Sequence, residues 1–229
     1  MLLCGTIVVP QRMPSLASRT VSARAGRINY LIGVAYLDEK RVVIKPGLPP
    51  QMKNGQQLRI KNGKAELLLG LGVYLRLGDA SVIRMQETQL DDIRVSVENG
   101  PALIEIEQMS KGSRLRVMCG AAATELRRDG LYRFDTAMDG ALSDTLRIYK
   151  GDAAVDGEAG SIIGKKGQLV NLAGSLNLHN FDLKESDSLQ LWALRRSQQR
   201  IDAERRRLEA RRMQQARQDL FLEEQHQNR

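Results

Sequence analysis

The sequence predicts an all-β protein made of short antiparallel strands, stacked as in a sandwich or a solenoid, that ends in one long α-helix. Two observations indicate the strands. From Gly26 to about His179, apolar and polar residues alternate with a period of two, and turn-forming residues separate the runs. A third observation indicates the helix, because no glycine or proline follows Ser186 in a segment rich in Arg, Gln, Glu, Leu and Ala.

The alternating runs are short, as in Ile93–Val97 (IRVSV) and Leu103–Glu107 (LIEIE). Alternation of this kind places one face of each strand on a core and the other in water. Six dipeptides separate the runs, and we expect each to form a tight hairpin turn because glycine accepts a positive φ: Asn54-Gly55, Asn62-Gly63, Asn99-Gly100, Asp129-Gly130, Asp139-Gly140 and Gly151-Asp152. No helical pattern lies between the strands, which argues against a parallel α/β sheet.

A faint internal repeat accompanies this pattern. Residues 65–76 are echoed by residues 124–134, and residues 93–102 by residues 146–153. Repeated hairpins that share one core would explain the echo. The alternative is chance similarity among leucine-rich strands.

Composition excludes several classes of protein. The 229 residues carry a formal net charge of +8, and no stretch of 18 apolar residues predicts a transmembrane helix. Two cysteines, Cys4 and Cys119, cannot form a disulfide framework, and neither lies in a zinc-binding motif. We expect Cys119 to be buried in a strand and unreactive. With only two histidines and no catalytic motif, the sequence predicts a protein that is not an enzyme and uses no cofactor.

Charge and composition suggest three segments. Residues 1–22 contain an apolar run followed by small residues, which is the order of a secretory leader clipped at its start; the alternative is an N-terminal strand. Residues 23–182 form the predicted β-domain. Residues 183–229 form a basic helical segment, since Arg195–Arg229 holds ten arginines and six acidic residues, a net +4 that leaves +4 for the other 194 residues.

The terminal helix is expected from about Leu189 to Gln225. Asp187 and Gln190 have the spacing of a capping box, in which each side chain accepts a hydrogen bond from the other residue's amide. Apolar residues recur at sevens, but Gln215 interrupts the series and the other heptad positions are mostly polar, so a self-sufficient coiled coil is not predicted: Leu194, Ile201, Leu208 and Leu222.

Four arginines form the candidate binding residues of this helix, because their spacing places them in one stripe: Arg196, Arg200, Arg207 and Arg211. The stripe could bind a polyanion (nucleic acid, anionic lipid headgroups or an acidic glycan) or a partner. The alternative is a solvated helix face whose arginines provide helicity and solubility. Trp192 is expected to be a structural anchor that docks the helix on the sheet.

Several segments together resemble the FecR-like domain of bacterial envelope proteins. They are Asn62–Arg84 (NGKAELLLGLGVYLRLGDASVIR), Val95–Ala102 (VSVENGPA), Gly130–Phe134 (GLYRF), Leu146–Val155 (LRIYKGDAAV) and, in a subgroup, Ala25–Gly33 (AGRINYLIG) with Phe181, Asp187, Trp192, Arg195 and Arg196. The resemblance covers about residues 23–200 and implies an extracytoplasmic β-domain. In well-studied members this domain relays an outer-membrane receptor's signal to a sigma factor, and the family brings no catalytic residues.

This sequence shows neither the cytoplasmic anti-sigma segment nor the membrane helix of those members. The resemblance therefore implies a free-standing protein of the periplasm or cell envelope rather than a sigma regulator. We expect a non-catalytic module that engages a partner protein or a cell-wall polymer. The alternative is a cytoplasmic protein that binds nucleic acid through the arginine stripe, with an affinity that falls steeply as salt rises.

Overall fold

The computed structural model describes residues 24–136 and 144–227, which form fifteen strands and one helix. The elements are β1 (Arg27–Leu37), β2 (Lys40–Arg41), β3 (Gln57–Gly70), β4 (Val73–Leu77), β5 (Val82–Glu87), β6 (Asp92–Asn99), β7 (Pro101–Ile106), β8 (Arg114–Cys119), β9 (Ala122–Leu126), β10 (Gly130–Asp135), β11 (Thr145–Lys150), β12 (Asp152–Gly157), β13 (Gly160–Lys165), β14 (Gln168–Asn171), β15 (Asn177–Asn180) and α1 (Ser188–Gln227). The all-β fold with one long C-terminal helix is therefore confirmed. The predicted leader, residues 1–22, lies outside the described residues.

The strands form one long sheet that folds back on itself as two wings. The first wing has the order β13-β12-β9-β8-β6-β5, and the second has the order β4-β7-β10-β11-β14-β15. Strand β3 joins the wings, since Gln57–Arg59 pairs with β5 while Ala65–Gly70 pairs with β4. All the pairs along these wings are antiparallel except β6 with β8, which run parallel.

One hydrophobic core lies between the wings. It contains the inward residues of both, including Val95 and Val117 of the first wing and Ile104 and Phe134 of the second, all of them fully buried. Gly164 marks a close approach between the wings, because a Cβ added there would lie 2.6 Å from Ile148 Cδ1. The period-two pattern of the sequence follows from this core, since each strand is covered on its inner face.

The hairpin prediction is wrong for the five dipeptides that lie in the described residues, and for three of them the reason is that the chain alternates between the wings. Asn99-Gly100 joins β6 to β7, Asp129-Gly130 leads from β9 into β10, and Gly151-Asp152 connects β11 and β12; none of these strand pairs is hydrogen bonded. Gly100 (φ +71°) and Gly151 (φ +90°) adopt the positive φ of tight turns, whereas Gly130 does not. At all three positions the chain passes from one wing to the facing wing. The predicted turn Asp139-Gly140 lies outside the described residues.

The fourth dipeptide, Asn62-Gly63, lies inside β3 and does not form a turn. The fifth, Asn54-Gly55, forms a turn before β3 that joins no pair of hydrogen-bonded strands. Gly63 (φ +101°) is opposite Gly33 (φ +90°) of β1. A Cβ on Gly63 would lie 2.0 Å from the carbonyl oxygen of Ile32, so the two backbones meet too closely for any side chain. Glycine here permits the long strand to cross from one wing to the other.

The first two matching segments of the predicted repeat lie at different places in the sheet. Residues 65–76 include the paired strands β3 and β4, whereas residues 124–134 include β9 and β10, which belong to different wings. Residues 93–102 and 146–153 each contain a passage from one wing to the other.

Candidate functional site

The terminal helix begins with the predicted capping box. The Asp187 amide donates to Gln190 Oε1 (3.1 Å), and the Gln190 amide donates to Asp187 Oδ1 (2.9 Å). The carboxylate of Asp187 also pairs with Arg133 of β10 (2.7 Å). Burial raises the pKa of Asp187, but the Gln190 amide and the Arg133 charge outweigh it and hold that pKa below its usual value. The cap therefore also ties the helix to the second wing.

The first turns of the helix pack on the outer face of the second wing. Leu189 and Ala193 are buried in a small cluster with Leu103 of β7, separate from the main core. Trp192 is half-buried against this cluster, and its ring centroid lies 6.3 Å from that of Tyr30. Trp192 thus lies where the sequence places an anchor between helix and sheet.

Beneath the next turn lies a buried network of charged side chains centred on Arg76 of β4. The Arg76 side chain is 1% exposed; its Nε lies 2.9 Å from Glu66 and its Nη1 lies 2.6 Å from Glu105. Nη2 donates to Ser197 Oγ of the helix (2.9 Å), which donates to Glu105 (2.6 Å). Buried charges need such complete pairing, because an isolated charge away from water costs several kcal/mol.

Two arginines of the predicted stripe complete this network. Arg196 lies 2.9 Å from Glu66, and its guanidinium stacks 4.1 Å above the ring of Tyr30. Arg200 binds both oxygens of Glu107, at 2.6 and 2.7 Å, and stacks 4.1 Å above the ring of Tyr74. Both arginines therefore hold the helix against the sheet.

The network changes the pKa of two of its members, Glu66 and Arg200. Burial raises the pKa of Glu66, but the hydrogen bond from Arg196 and the charge of Arg76 outweigh it and lower that pKa below the usual value. Burial lowers the pKa of Arg200, but its hydrogen bonds to Glu107 together with the nearby Tyr74, Glu107 and Glu105 outweigh burial and raise that pKa. Both shifts favour the charged forms of Glu66 and Arg200.

Beyond Ala203 the helix leaves the sheet and is exposed through Asp219. A groove of about 830 Å³ opens between this overhanging part and the second wing. The helix side of the groove carries all four arginines of the predicted stripe, and the sheet side carries Tyr74 and Glu107. Among the described residues, Arg207 and Arg211 have no ion-pair partner, in contrast to Arg196 and Arg200.

Sequence reasoning missed the sheet side of this site. The acids that hold the helix are Glu66, Glu105 and Glu107, and the signal was present in Glu105-Ile106-Glu107. Alternate residues of a strand share a face, so Glu105 and Glu107 both point to the helix. Glu107 binds Arg200, Glu105 binds Ser197, and Glu66 of the neighbouring strand β3 binds Arg196. The predicted stripe therefore divides into a docking pair, Arg196 and Arg200, and an open pair, Arg207 and Arg211.

The described part of the chain gives little support for metal binding, thiol reactivity or membrane spanning. Residues 24–136 and 144–227 contain no group of three His, Cys, Asp or Glu side chains arranged to hold a metal ion. Cys119 is 1% exposed, and burial raises the pKa of its thiol to about 12, which keeps it protonated. No helix within these residues combines the length and the apolar character that crossing a bilayer requires.

Comparison with known proteins gives only a distant structural likeness. No family model and no curated protein matches the sequence. Two crystal structures of a "putative anti-sigma factor" from Parabacteroides distasonis, at 2.50 and 1.65 Å resolution, are similar with a TM-score of 0.48 and 16% identity. The match covers 56% of this chain and 61% of that protein's chain, so this chain spans about three fifths of the protein that it resembles.

Proposed function

We propose that this protein is a non-catalytic binding module of the cell envelope, in which the groove beside the terminal helix holds an acidic segment of a partner protein. One observation carries the proposal: the helix is fixed to the sheet through Arg196 and Arg200, so Arg207 and Arg211 are held over an open groove without partners among the described residues. Arginines that the docked part of the helix places over a groove can bind carboxylates through charge-assisted hydrogen bonds.

The groove also offers apolar contacts. Leu208 on the helix is 50% exposed, and Leu71, in the turn between β3 and β4, is 82% exposed; both line the groove. A protein segment that alternates acidic and aliphatic side chains would match both features. A purely anionic polymer would leave the aliphatic side chains uncovered.

The envelope location in this proposal rests on the sequence resemblance to FecR-like domains. The division into a β-domain at 23–182 and a basic helical segment at 183–229 rests on the change of charge and composition along the sequence. The contacts of Arg196 and Arg200 count against the nucleic-acid alternative, because they occupy half of the arginine stripe with carboxylates of the sheet.

The proposal predicts a cross-link that depends on position and charge. We would place a photoreactive benzoylphenylalanine at position 208, in the groove, and for comparison at Met213, which is exposed but does not line it. Position 208 is expected to form a discrete protein adduct in cells, and position 213 is not. In the position-208 chain, Arg207→Glu with Arg211→Glu should reduce that adduct by about tenfold or more, because two charge contacts become repulsive.

The matched control is Arg205→Glu with Arg212→Glu, which reverses the same number of charges on residues that do not line the groove. This control should keep the adduct. Equal adducts from positions 208 and 213, an adduct that both double variants reduce alike, or an adduct that nuclease removes would each contradict a protein partner in the groove.

A further inference from the structure

A second positively charged segment, separate from the terminal helix, lies at the start of the β-domain. We call residues 24–64 the basic hairpin; they comprise β1, β2, the loop that follows and the first half of β3. The basic hairpin carries nine cations and only two acids, Asp38 and Glu39, which gives it a net charge of +7. Its cations are Arg24, Arg27, Lys40, Arg41, Lys45, Lys53, Arg59, Lys61 and Lys64.

These cations differ from most arginines of the other strands in their lack of ion-pair partners. Seven of the nine arginines in residues 65–182 form ion pairs within the described residues, as Arg84 does with Glu98 at 2.6 Å. Within residues 24–136 and 144–227, no ion pair involves any cation of the basic hairpin. One of its two acids is also occupied, since Asp38 accepts hydrogen bonds from the Gln57 amide (3.0 Å) and the Gln56 side chain (2.9 Å).

Strand register brings part of this charge to one face. Tyr36 of β1 pairs with Arg41 of β2 on one side and with Arg59 of β3 on the other. Residues directly opposite each other share a face of the sheet, and Lys61, at the bulge that follows Ile60, is exposed. The guanidinium of Arg59 lies 4.9 Å above the Tyr36 ring, so this aromatic face is already covered.

The loop that follows β2 adds exposed aliphatic side chains beside the cations. Val42 and Ile44 point to the core, whereas Val43 is 61% exposed. A tight turn at Lys45–Leu48, closed by a hydrogen bond from the Leu48 amide to the Lys45 carbonyl (3.1 Å), leaves Leu48 77% exposed. This loop therefore presents two exposed aliphatic side chains, Val43 and Leu48, beside cations that form no ion pair within the described residues.

We propose that the basic hairpin docks on the surface of an anionic lipid bilayer. Lys and Arg side chains would contact the lipid phosphates, while Val43 and Leu48 enter the boundary between headgroups and acyl chains. Charge attraction and shallow aliphatic insertion together are what peripheral membrane binding requires. Nucleic acid fits less well, because single strands are held by stacking on open aromatic rings and Arg59 occupies the ring of Tyr36.

The test uses the full chain and lipid vesicles of defined composition. Flotation with vesicles of phosphatidylglycerol and phosphatidylcholine in equal amounts should recover the protein, and vesicles of phosphatidylcholine alone should not. Raising sodium chloride from about 0.1 M to about 0.5 M should release it, since screening shortens the reach of surface charge.

Two variants locate the contact. Replacing Arg41, Lys45, Arg59 and Lys61 with glutamine should lower the apparent affinity for anionic vesicles by about tenfold or more. The control replaces four exposed helix arginines outside the groove, Arg195, Arg205, Arg206 and Arg212, with glutamine and so removes the same charge. It should bind within about threefold of the unchanged protein. Circular dichroism and the thermal midpoint would show that both variants are folded.

A second readout does not depend on charge substitutions. A nitrobenzoxadiazole dye on Leu48→Cys, in a chain with Cys4→Ser, should shift its emission to the blue on anionic vesicles; the buried Cys119 does not compete for the label. Failure to bind anionic vesicles, equal loss of affinity in both glutamine variants, an unshifted dye, or binding to DNA but not to vesicles would each overturn the proposal. None of these outcomes depends on the groove beside the helix.

Discussion

Replacing Arg76 with methionine is expected to lower the free energy of unfolding by about 3–5 kcal/mol, because it leaves buried carboxylates without their main partner. Glu66 is 1% exposed and would keep Arg196 as its one ion-pair partner in the described residues, beside a hydrogen bond from Asn29. Glu105 would lose its shortest ion pair. Methionine preserves most of the side-chain volume, so the loss reports charge pairing rather than a cavity. Urea denaturation followed by circular dichroism measures it.

The matched control is Arg84→Met, which removes an arginine from a pair with Glu98 whose side chains are 39% and 30% exposed. Exposed pairs contribute about 1 kcal/mol or less, so this variant should remain close to the unchanged protein. A double variant, Arg76→Met with Glu66→Gln, should lose less than the sum of the single variants, since the unpaired charge is gone. Equal losses for Arg76→Met and Arg84→Met would contradict the buried network.

Replacing Gly63 with alanine is expected to cost about 2–4 kcal/mol, which combines backbone strain with a steric clash. The added Cβ would lie 2.0 Å from the carbonyl oxygen of Ile32, and φ at this position is +101°. Strands β1 and β3 must then move apart where Gly33 and Gly63 face each other. Thermal or urea denaturation measures the loss of stability.

Gly55→Ala separates the two causes. Gly55 also has a positive φ, +83°, but no atom lies within 4 Å of an added Cβ. This variant should carry only the strain, about 1 kcal/mol. If Gly63→Ala cost no more than Gly55→Ala, the close approach of β1 and β3 would be wrong.

The sequence predicted well those elements whose cause is local. The capping box at Asp187 and Gln190 determines where the helix begins, and alternation determines which strand residues face the core. Both depend on residues a few positions apart, so a single sequence contains the information.

Features that depend on distant residues were not predictable in the same way. Asn99-Gly100 has the composition of a hairpin turn, but only the facing of two wings makes it a passage between them. Likewise, Arg196 and Arg207 look equivalent along the helix. They differ because Glu66 lies beneath the first, whereas the second extends past the sheet.

The net charge summed over the first 194 residues does not reveal the basic hairpin. The first 194 residues carry a net +4 and look nearly neutral, yet residues 24–64 carry +7 and residues 65–194 carry −5. The acids of the second region are those that pair with the arginines of the sheet and helix, as Glu66 and Glu105 do. A charge count in windows the size of one hairpin would have located this surface.

The central structural claim is that the helix is docked as far as about Ala203 and projects beyond it, so that Arg207 and Arg211 overhang an open groove. Hydrogen exchange of the full chain, followed by mass spectrometry, tests it most directly. Helix amides that lie over the buried network, near Ser197, should exchange slowly, because they open only when the helix leaves the sheet. Those from Glu209 to Arg217 should exchange much faster, since a helix without packing opens readily. Uniform protection along the helix, or fast exchange already near Ala193, would contradict the account.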